Sequence, residues 1–363
     1  MTDRKEFVPA GHATLIGSLP VRDYDQALEL ILKHTPAIPL WPQLPGNPAE
    51  GMLRQFSEKL PGFHEEEQRA FFKTDTPEFP QEQLAFFEEY LQVAEDFSRL
   101  EQSRFAGSTD RVPGLYRLIQ HLKDAPPSGL LAVKGQITGP FTLLTGLKDE
   151  KSQDAWYDPG IHEIVIKGLA MRAAWQTRFL ATTGVTPLLF LDEPALAGLG
   201  SSAYITVSLE EIGRDLNEVI DGVHQAGGLA GVHVCANTDW DFLLGVELDI
   251  LSFDAYGFFD RLIGSSAQVH AFLERGGILA WGLVPTAEAE AIEKESAPAL
   301  AHRWEEQARQ LVSDRWDLPR ILSRTLITPS CGTGSLTQEE ALRVLELTSG
   351  LSAILRERYN GRE

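Results

Sequence analysis

His233 and Cys235 stand two residues apart at the end of a short aliphatic run, residues 230–235. In a strand such a pair points to one face, so an imidazole and a thiolate can converge on one ion. Asp254 ends a second run of this kind and Cys331 ends a third. These are the only two cysteines of the chain. One nitrogen, two sulfurs and a carboxylate oxygen suit tetrahedral zinc better than magnesium or calcium. A free thiol, with a pKa of about 8.5, is mostly un-ionised at neutral pH. Zinc deprotonates a bound thiol and leaves its sulfur nucleophilic, so the chemistry in view is activation of a small thiol. A His-x-Cys pair alone is also what a buried histidine beside an inert cysteine looks like. The distinguishing feature is that both cysteines fall at the ends of such runs.

Ligands from distant runs need a scaffold that gathers strand ends. Eight β-branched or aliphatic runs occur, at 13–18, 38–43, 130–135, 187–192, 230–235, 250–254, 278–283 and 326–331. Long amphipathic stretches separate them, the pattern of parallel βα units. Each run carries a polar, glycyl, prolyl or cysteinyl residue at or just past its C-terminal end. This predicts an α/β fold, a (β/α)8 TIM barrel with its chemistry at that end. The 363 residues fit a single domain, 1–363. Residues 45–129 are expected to form a helical insertion between strands 2 and 3, over the barrel mouth. Pro77 and Pro80 precede its strongest helical stretch, 81–105, and Pro126–Pro127 close it. Ser208 with Glu211, and Thr337 with Glu340, fit capping boxes for helices over 209–227 and 337–359. A further helix is expected over 304–312.

Apolar residues make up 43% and charged residues 23% of the chain, enough for a large core. The net charge of −20 repels phosphate backbones and anionic lipid, which argues against nucleic acid and membrane partners. The first eleven residues contain no apolar signal-type segment, and no run is long enough to cross a bilayer. With two cysteines and no export signal, a cytoplasmic location with reduced thiols is expected.

The segments Gly135-Gln136-Ile137-Thr138-Gly139-Pro140, Leu191-Asp192-Glu193-Pro194, His233-Val234-Cys235 and Cys331-Gly332 together resemble the catalytic half of cobalamin-independent methionine synthase. That family lies in the superfamily shared with uroporphyrinogen decarboxylase. The resemblance runs from Ile16-Gly17-Ser18 to Cys331 and is to the short, single-barrel members. It implies zinc ligands at His233, Cys235, Asp254 and Cys331. Asp254 stands where the family usually has Glu; one methylene shorter, it leaves direct ligation and an intervening water both open. It implies that Asp192 binds the amino group of homocysteine, within a substrate-binding set of Gly17, Ser18, Gln43, Asp192 and Glu193. The turn at Gly17 and Ser18 matches the segment that holds the amino acid's carboxylate. Gln43 stands in the region where the long enzymes carry a second amine-binding carboxylate. His233, Cys235, Cys331 and Asp192 are then the catalytic set.

The donor of the methyl group is a separate question. In the long enzymes it is methyltetrahydrofolate, served by a stacking Trp and a proton-donating His. Gly146 and Val284 occupy the matching positions here. A methylcorrinoid needs no protonation to leave, so methylcobalamin or a methylated corrinoid protein is the expected donor. The competing readings are a methylcorrinoid methyltransferase acting on another thiol of the coenzyme M type, a uroporphyrinogen-type decarboxylase, and a non-catalytic zinc- or corrinoid-binding scaffold. Asp192 argues against a sulfonate substrate, and the placed cysteines argue against the decarboxylase.

Overall fold

A computed structural model describes residues 7–67, 69–200 and 204–360. Three short strands lie apart from the main sheet: β1 (Phe63–Glu65), β2 (Ala70–Phe72) and β4 (Lys148–Asp149). The main sheet is parallel throughout. It contains β3 (Ala132–Thr138), β5 (Thr186–Asp192), β6 (Leu229–Val234), β7 (Ile250–Asp254), β8 (Ile278–Val284) and β9 (Thr325–Pro329), adjacent in that order. Helices connect successive strands, the arrangement expected of βα units.

The expected eight-stranded ladder is therefore six strands, with the runs at 13–18 and 38–43 attached by single parallel bridges. Ala13 bridges Ile327 on edge strand β9, Leu40 bridges Lys134 on edge strand β3, and Ser18 bridges Gln43. Chemistry explains the shortfall. Pro39 and Pro42 have no N–H to donate, so residues 38–43 cannot complete a ladder. The Ile16 carbonyl accepts instead from the Lys134 ammonium, at 2.6 Å.

Side chains of alternate strand residues meet inside the curl of the sheet. Ile38, Ala132, Leu188, Phe190, Ile250, Ile278, Ala280 and Leu326 form one buried apolar cluster there. Gly231 makes room for the largest of them, since a Cβ at that position would lie 2.6 Å from the Phe190 ring. A second, larger cluster packs the helices onto the outer face. Chemistry is thus confined to the strand ends, where the interior filling stops.

One of the two expected capping boxes forms in full and the other in half. The Ser208 hydroxyl accepts from the Glu211 N–H at 3.1 Å at the start of helix Leu209–Gln225. Thr337 and Glu340 exchange bonds of 2.8 and 3.2 Å before helix Gln338–Asn360. The stretch expected to be helical over 81–105 is helix Phe79–Glu95 followed by a 3₁₀ turn, Phe97–Gln102. Asp96 leaves the helical backbone and caps that turn through the Ser98 N–H, at 3.0 Å. Residues 45–129 also contain helix Pro113–Asp124. No helix among the described residues is long and apolar enough to cross a membrane.

Candidate active site

The strand register places one row of polar side chains above the apolar filling. Thr138 pairs with Asp192, Asp192 with His233, and His233 with Ser252, across β3, β5, β6 and β7. A cavity of about 380 Å³ opens over this row. Its walls include Asp192, His233, Cys235 and Cys331 from the strand ends, and Gly17, Ser18 and Gln43 from the two bridged segments.

The ligand atoms of His233, Cys235 and Cys331 all lie within 4.8 Å of one another. Cys235 follows the last residue of β6 and Cys331 lies two residues beyond β9, so both thiols reach the mouth from strand ends. Both cysteines are free thiols. The hydrogen bond with Cys331 and the His233 ring beside it pull the Cys235 thiol well below the ordinary range, and the shared proton pushes Cys331 up.

These residues fit a zinc ion. His233 Nδ1 is hydrogen-bonded to the Ser252 hydroxyl at 2.9 Å, which fixes the ring. Its Nε2 is buried and has no partner among the described residues. A histidine held at one nitrogen with the other bare is the arrangement found when imidazole ligates a metal. A buried orphan nitrogen beside two sulfurs otherwise carries an uncompensated cost of about 1–3 kcal/mol.

Asp254 stands apart from the other three expected ligands. Its carboxylate is not within the group formed by the other three. It accepts from the Gly257 N–H at 2.8 Å and caps helix Ala255–Leu262. The residue at the end of a strand is here also the residue before a helix, and an aspartate in that place satisfies a free N–H of the first turn.

Glu193 departs from expectation too. It is fully buried and does not line the cavity. It accepts from the Phe141 N–H at 2.9 Å, the Thr142 N–H at 2.8 Å and the Thr142 hydroxyl at 2.6 Å. These bonds lock the Thr138-Gly139-Pro140 turn onto β5. Gly139 is required for that lock, since a Cβ would fall 2.2 Å from the Glu193 carboxylate. Burial pushes Glu193 up to about 7.

Asp192 lines the cavity, and its Oδ1 is buried without a partner. Burial raises it to about 6, against the lowering pull of His233 and Lys134. Ser18 ties the N-terminal turn to the loop after Cys331: its hydroxyl accepts from the Gly334 N–H at 3.1 Å and its carbonyl from the Thr333 N–H at 3.0 Å. Gly17 has no room for a side chain, because a Cβ would lie 2.8 Å from both the Gln136 and the Gln43 amides. The Gln43 side-chain amide donates to Gln55 Oε1 at 2.6 Å.

Sequence reasoning missed three polar residues here. Lys134 is fully buried on β3 and donates to the Ile16 carbonyl at 2.6 Å and to Gln136 Oε1 at 3.3 Å. Burial lowers it to about 8. Gln136, two residues on, donates to the Trp41 carbonyl at 2.9 Å. A lysine and a glutamine at alternate positions of an apolar strand were the signal. Glu50 is 4% exposed and lines the cavity, accepting from the Leu44 N–H at 3.0 Å and bonding the Tyr24 hydroxyl. It lies beyond the second run, where Gln43 was expected to stand in for a carboxylate.

No family model and no curated protein matches the chain. Among solved structures it is similar to a B12-independent methionine synthase from a Shewanella species, with 17% identity over 68% of this chain and 67% of that one, at a TM-score of 0.46. It is also similar to a methyltransferase from Methanosarcina mazei, with 15% identity over 69% of this chain and 65% of that one, at a TM-score of 0.43. A catalytic module of a pneumococcal exo-β-D-N-acetylglucosaminidase is 8% identical over 95% of this chain and 85% of that one, at a TM-score of 0.46. Likenesses this distant carry no weight for the chemistry, which rests on the side chains of this chain.

Proposed function

We propose that the chain is a thiol methyltransferase that makes methionine from homocysteine, with a methylcorrinoid as donor. The observation that carries the reading is the meeting of His233 Nε2, Cys235 Sγ and Cys331 Sγ, with the first left bare. When bound there by these three side chains, zinc would supply the Lewis acidity that ionises a substrate thiol at neutral pH. Ser252 holds the His233 ring in the orientation that presents Nε2. Asp192 and Glu50 give the same cavity two carboxylates, a suitable pair for the ammonium of an amino acid. Neither suits a sulfonate, which speaks against a coenzyme M type acceptor. Gly17 and Ser18 offer the turn against which the carboxylate of the amino acid would rest. Fixing both ends of the acceptor aims its sulfur, which is the main contribution of positioning.

In the transfer the thiol gives its proton to solvent, a sulfur–carbon bond forms to the methyl group, and the cobalt–carbon bond breaks with its electron pair staying on the corrinoid. No proton is needed by the leaving group. Two local features support a donor other than methyltetrahydrofolate. Leu53 fills the space at Gly146, where a Cβ would lie 2.7 Å from its methyl carbon, so no ring stacks there. Val284, buried at the end of β8, has no proton to give.

We read the two bridged segments as the remaining staves of a (β/α)8 barrel, and residues 45–129 as an insertion within one domain. Two free thiols suit a reducing compartment such as the cytoplasm. The deciding experiment offers the zinc-loaded protein homocysteine with either methylcobalamin or methyltetrahydrofolate and measures methionine. Turnover with the corrinoid, lost in Cys235→Ser and Cys331→Ser, is expected. Methionine from folate alone would overturn the donor assignment. Binding without turnover of either donor would mark a carrier and overturn the enzyme reading.

A further inference from the structure

A second cavity, of about 300 Å³, opens at the other end of the sheet from the two cysteines. Its walls come from residues that precede the bridged segments and β3, including His12, His34 and Ser128, and from Ser349, Ser352 and Arg356 of helix Gln338–Asn360. None of its described lining residues is a carboxylate. In a chain of net charge −20 that is a local reversal of sign.

His34 is 8% exposed. Its Nδ1 is hydrogen-bonded to the Ser349 hydroxyl at 3.2 Å, while its Nε2 is buried with no partner among the described residues. Arg356 Nε is likewise buried with no partner among the described residues. Burial and the Arg356 charge hold His12 neutral. Glu346 and Lys33 act on His34 from outside the lining, with opposite effects. Buried polar groups in native proteins have partners, so the bare Arg356 Nε–H at the wall of this cavity calls for an acceptor; His34 Nε2, an acceptor while its Nδ1–H bonds the Ser349 hydroxyl, becomes a second donor once the ring is protonated. The space is about ten times a single water's share of roughly 30 Å³. A water would satisfy one donor but bring no negative charge to the guanidinium.

We propose that this cavity binds a phosphate-sized oxyanion, either free phosphate or the phosphoryl group of a small ester. Arginine is suited to oxyanions because its donors are fixed in a planar fork. An arriving anion would also favour the protonated forms of His12 and His34, adding charge-assisted donors. The Ser352 hydroxyl donates to the Gly11 carbonyl at 2.6 Å and holds the wall in place.

The test titrates the zinc-loaded protein with inorganic phosphate and, separately, with a glycerol phosphate, following phosphorus NMR line width and the thermal midpoint. Saturable binding of either probe with a rise in the midpoint is expected. Arg356→Met should weaken it at least about tenfold. His34→Gln keeps the test open should Arg356→Met fold poorly. Cys331→Ser, at the other end of the sheet, should leave phosphate binding unchanged, which separates this cavity from the metal group. Binding of phosphate but not the ester would identify the free ion, and the reverse the ester. No saturable binding to the wild type, or equal binding by both cavity variants, would overturn the assignment.

Discussion

Asp192 and His233 are register partners on the adjacent strands β5 and β6, with the Glu193 N–H donating to the His233 carbonyl at 2.9 Å just beyond them. The pairing puts a carboxylate with an unpartnered oxygen next to an imidazole with an unpartnered nitrogen. Parallel strands about 4.8 Å apart fix that separation through the backbone. A substrate held at one end by Asp192 therefore has its other end directed at His233 and the two thiols. In this reading the distance from amine to sulfur is what the site measures.

Asp192→Asn tests that relation. The amide keeps the shape and removes the charge. A charge-assisted hydrogen bond contributes about 1.5–3 kcal/mol, so KM for homocysteine should rise roughly 10- to 100-fold. Zinc content, measured by atomic emission, should not change. Loss of metal with little effect on KM would place Asp192 in the metal shell rather than on the amine.

Ser252→Ala removes the partner of His233 Nδ1 and leaves the three ligating side chains intact. Second partners of metal-bound histidines typically contribute about 10- to 100-fold in metal affinity. A chelator competition should show a loss in that range, with zinc at saturation restoring most of the turnover. An unchanged affinity would show that packing alone orients the ring.

The meeting of His233, Cys235 and Cys331 was readable because strand geometry makes i and i+2 neighbours and because the cysteines are so few. At Asp254 a strand-end aspartate and a helix N-cap look alike in sequence, and the Gly257 N–H shows that it is the cap, outside the close group of the other three. Counting eight strands from apolar runs ignored the missing N–H groups of Pro39 and Pro42. Lys134 was concealed by its setting, since a lysine in an apolar run is ordinarily exposed at a strand edge; here the Ile16 carbonyl and the Phe190 ring, 4.4 Å from its Nζ, accommodate it. Glu50 reaches the cavity from a 3₁₀ turn, Pro48–Glu50, capped by Asn47. No periodicity reports where such a turn will dock.

His12 should make the fold sensitive to acid. Burial, with Arg356 adding to it, lowers the imidazole from 6.5 to about 4. Between those values the unfolded chain binds a proton that the folded chain does not. Stability is thus at its full value above 6.5 and falls as pH drops toward 4. Burial lowers His34 in the same direction. In phosphate-free buffer, His12→Asn should shrink the fall in urea midpoint across that range without abolishing it. Parallel pH profiles for the variant and the wild type would remove His12 from this account.

Lys134→Met tests the support of the N-terminal turn, and it also removes a charge that helps keep Asp192 ionised. The methionine keeps most of the volume of the stem and loses the ammonium, so the Ile16 carbonyl and Gln136 Oε1 lose a shared donor. Ile16 leads directly into Gly17 and Ser18, and Gly17 is already wedged between two glutamine amides. Freed from Lys134, the turn should occupy more than one position and bind the carboxylate of the acceptor less well. Charged donors contribute about 1.5–3 kcal/mol, so KM for homocysteine should rise by roughly tenfold or more. The turnover number at saturation should change little, because His233, Cys235 and Cys331 are on other strands. Zinc content should hold at the wild-type level. Lys134→Arg, which keeps the charge but brings a broader head group to a fully buried position, should recover only part of the loss. A fall in turnover number at unchanged KM would instead place the ammonium among the groups that act on the reacting atoms.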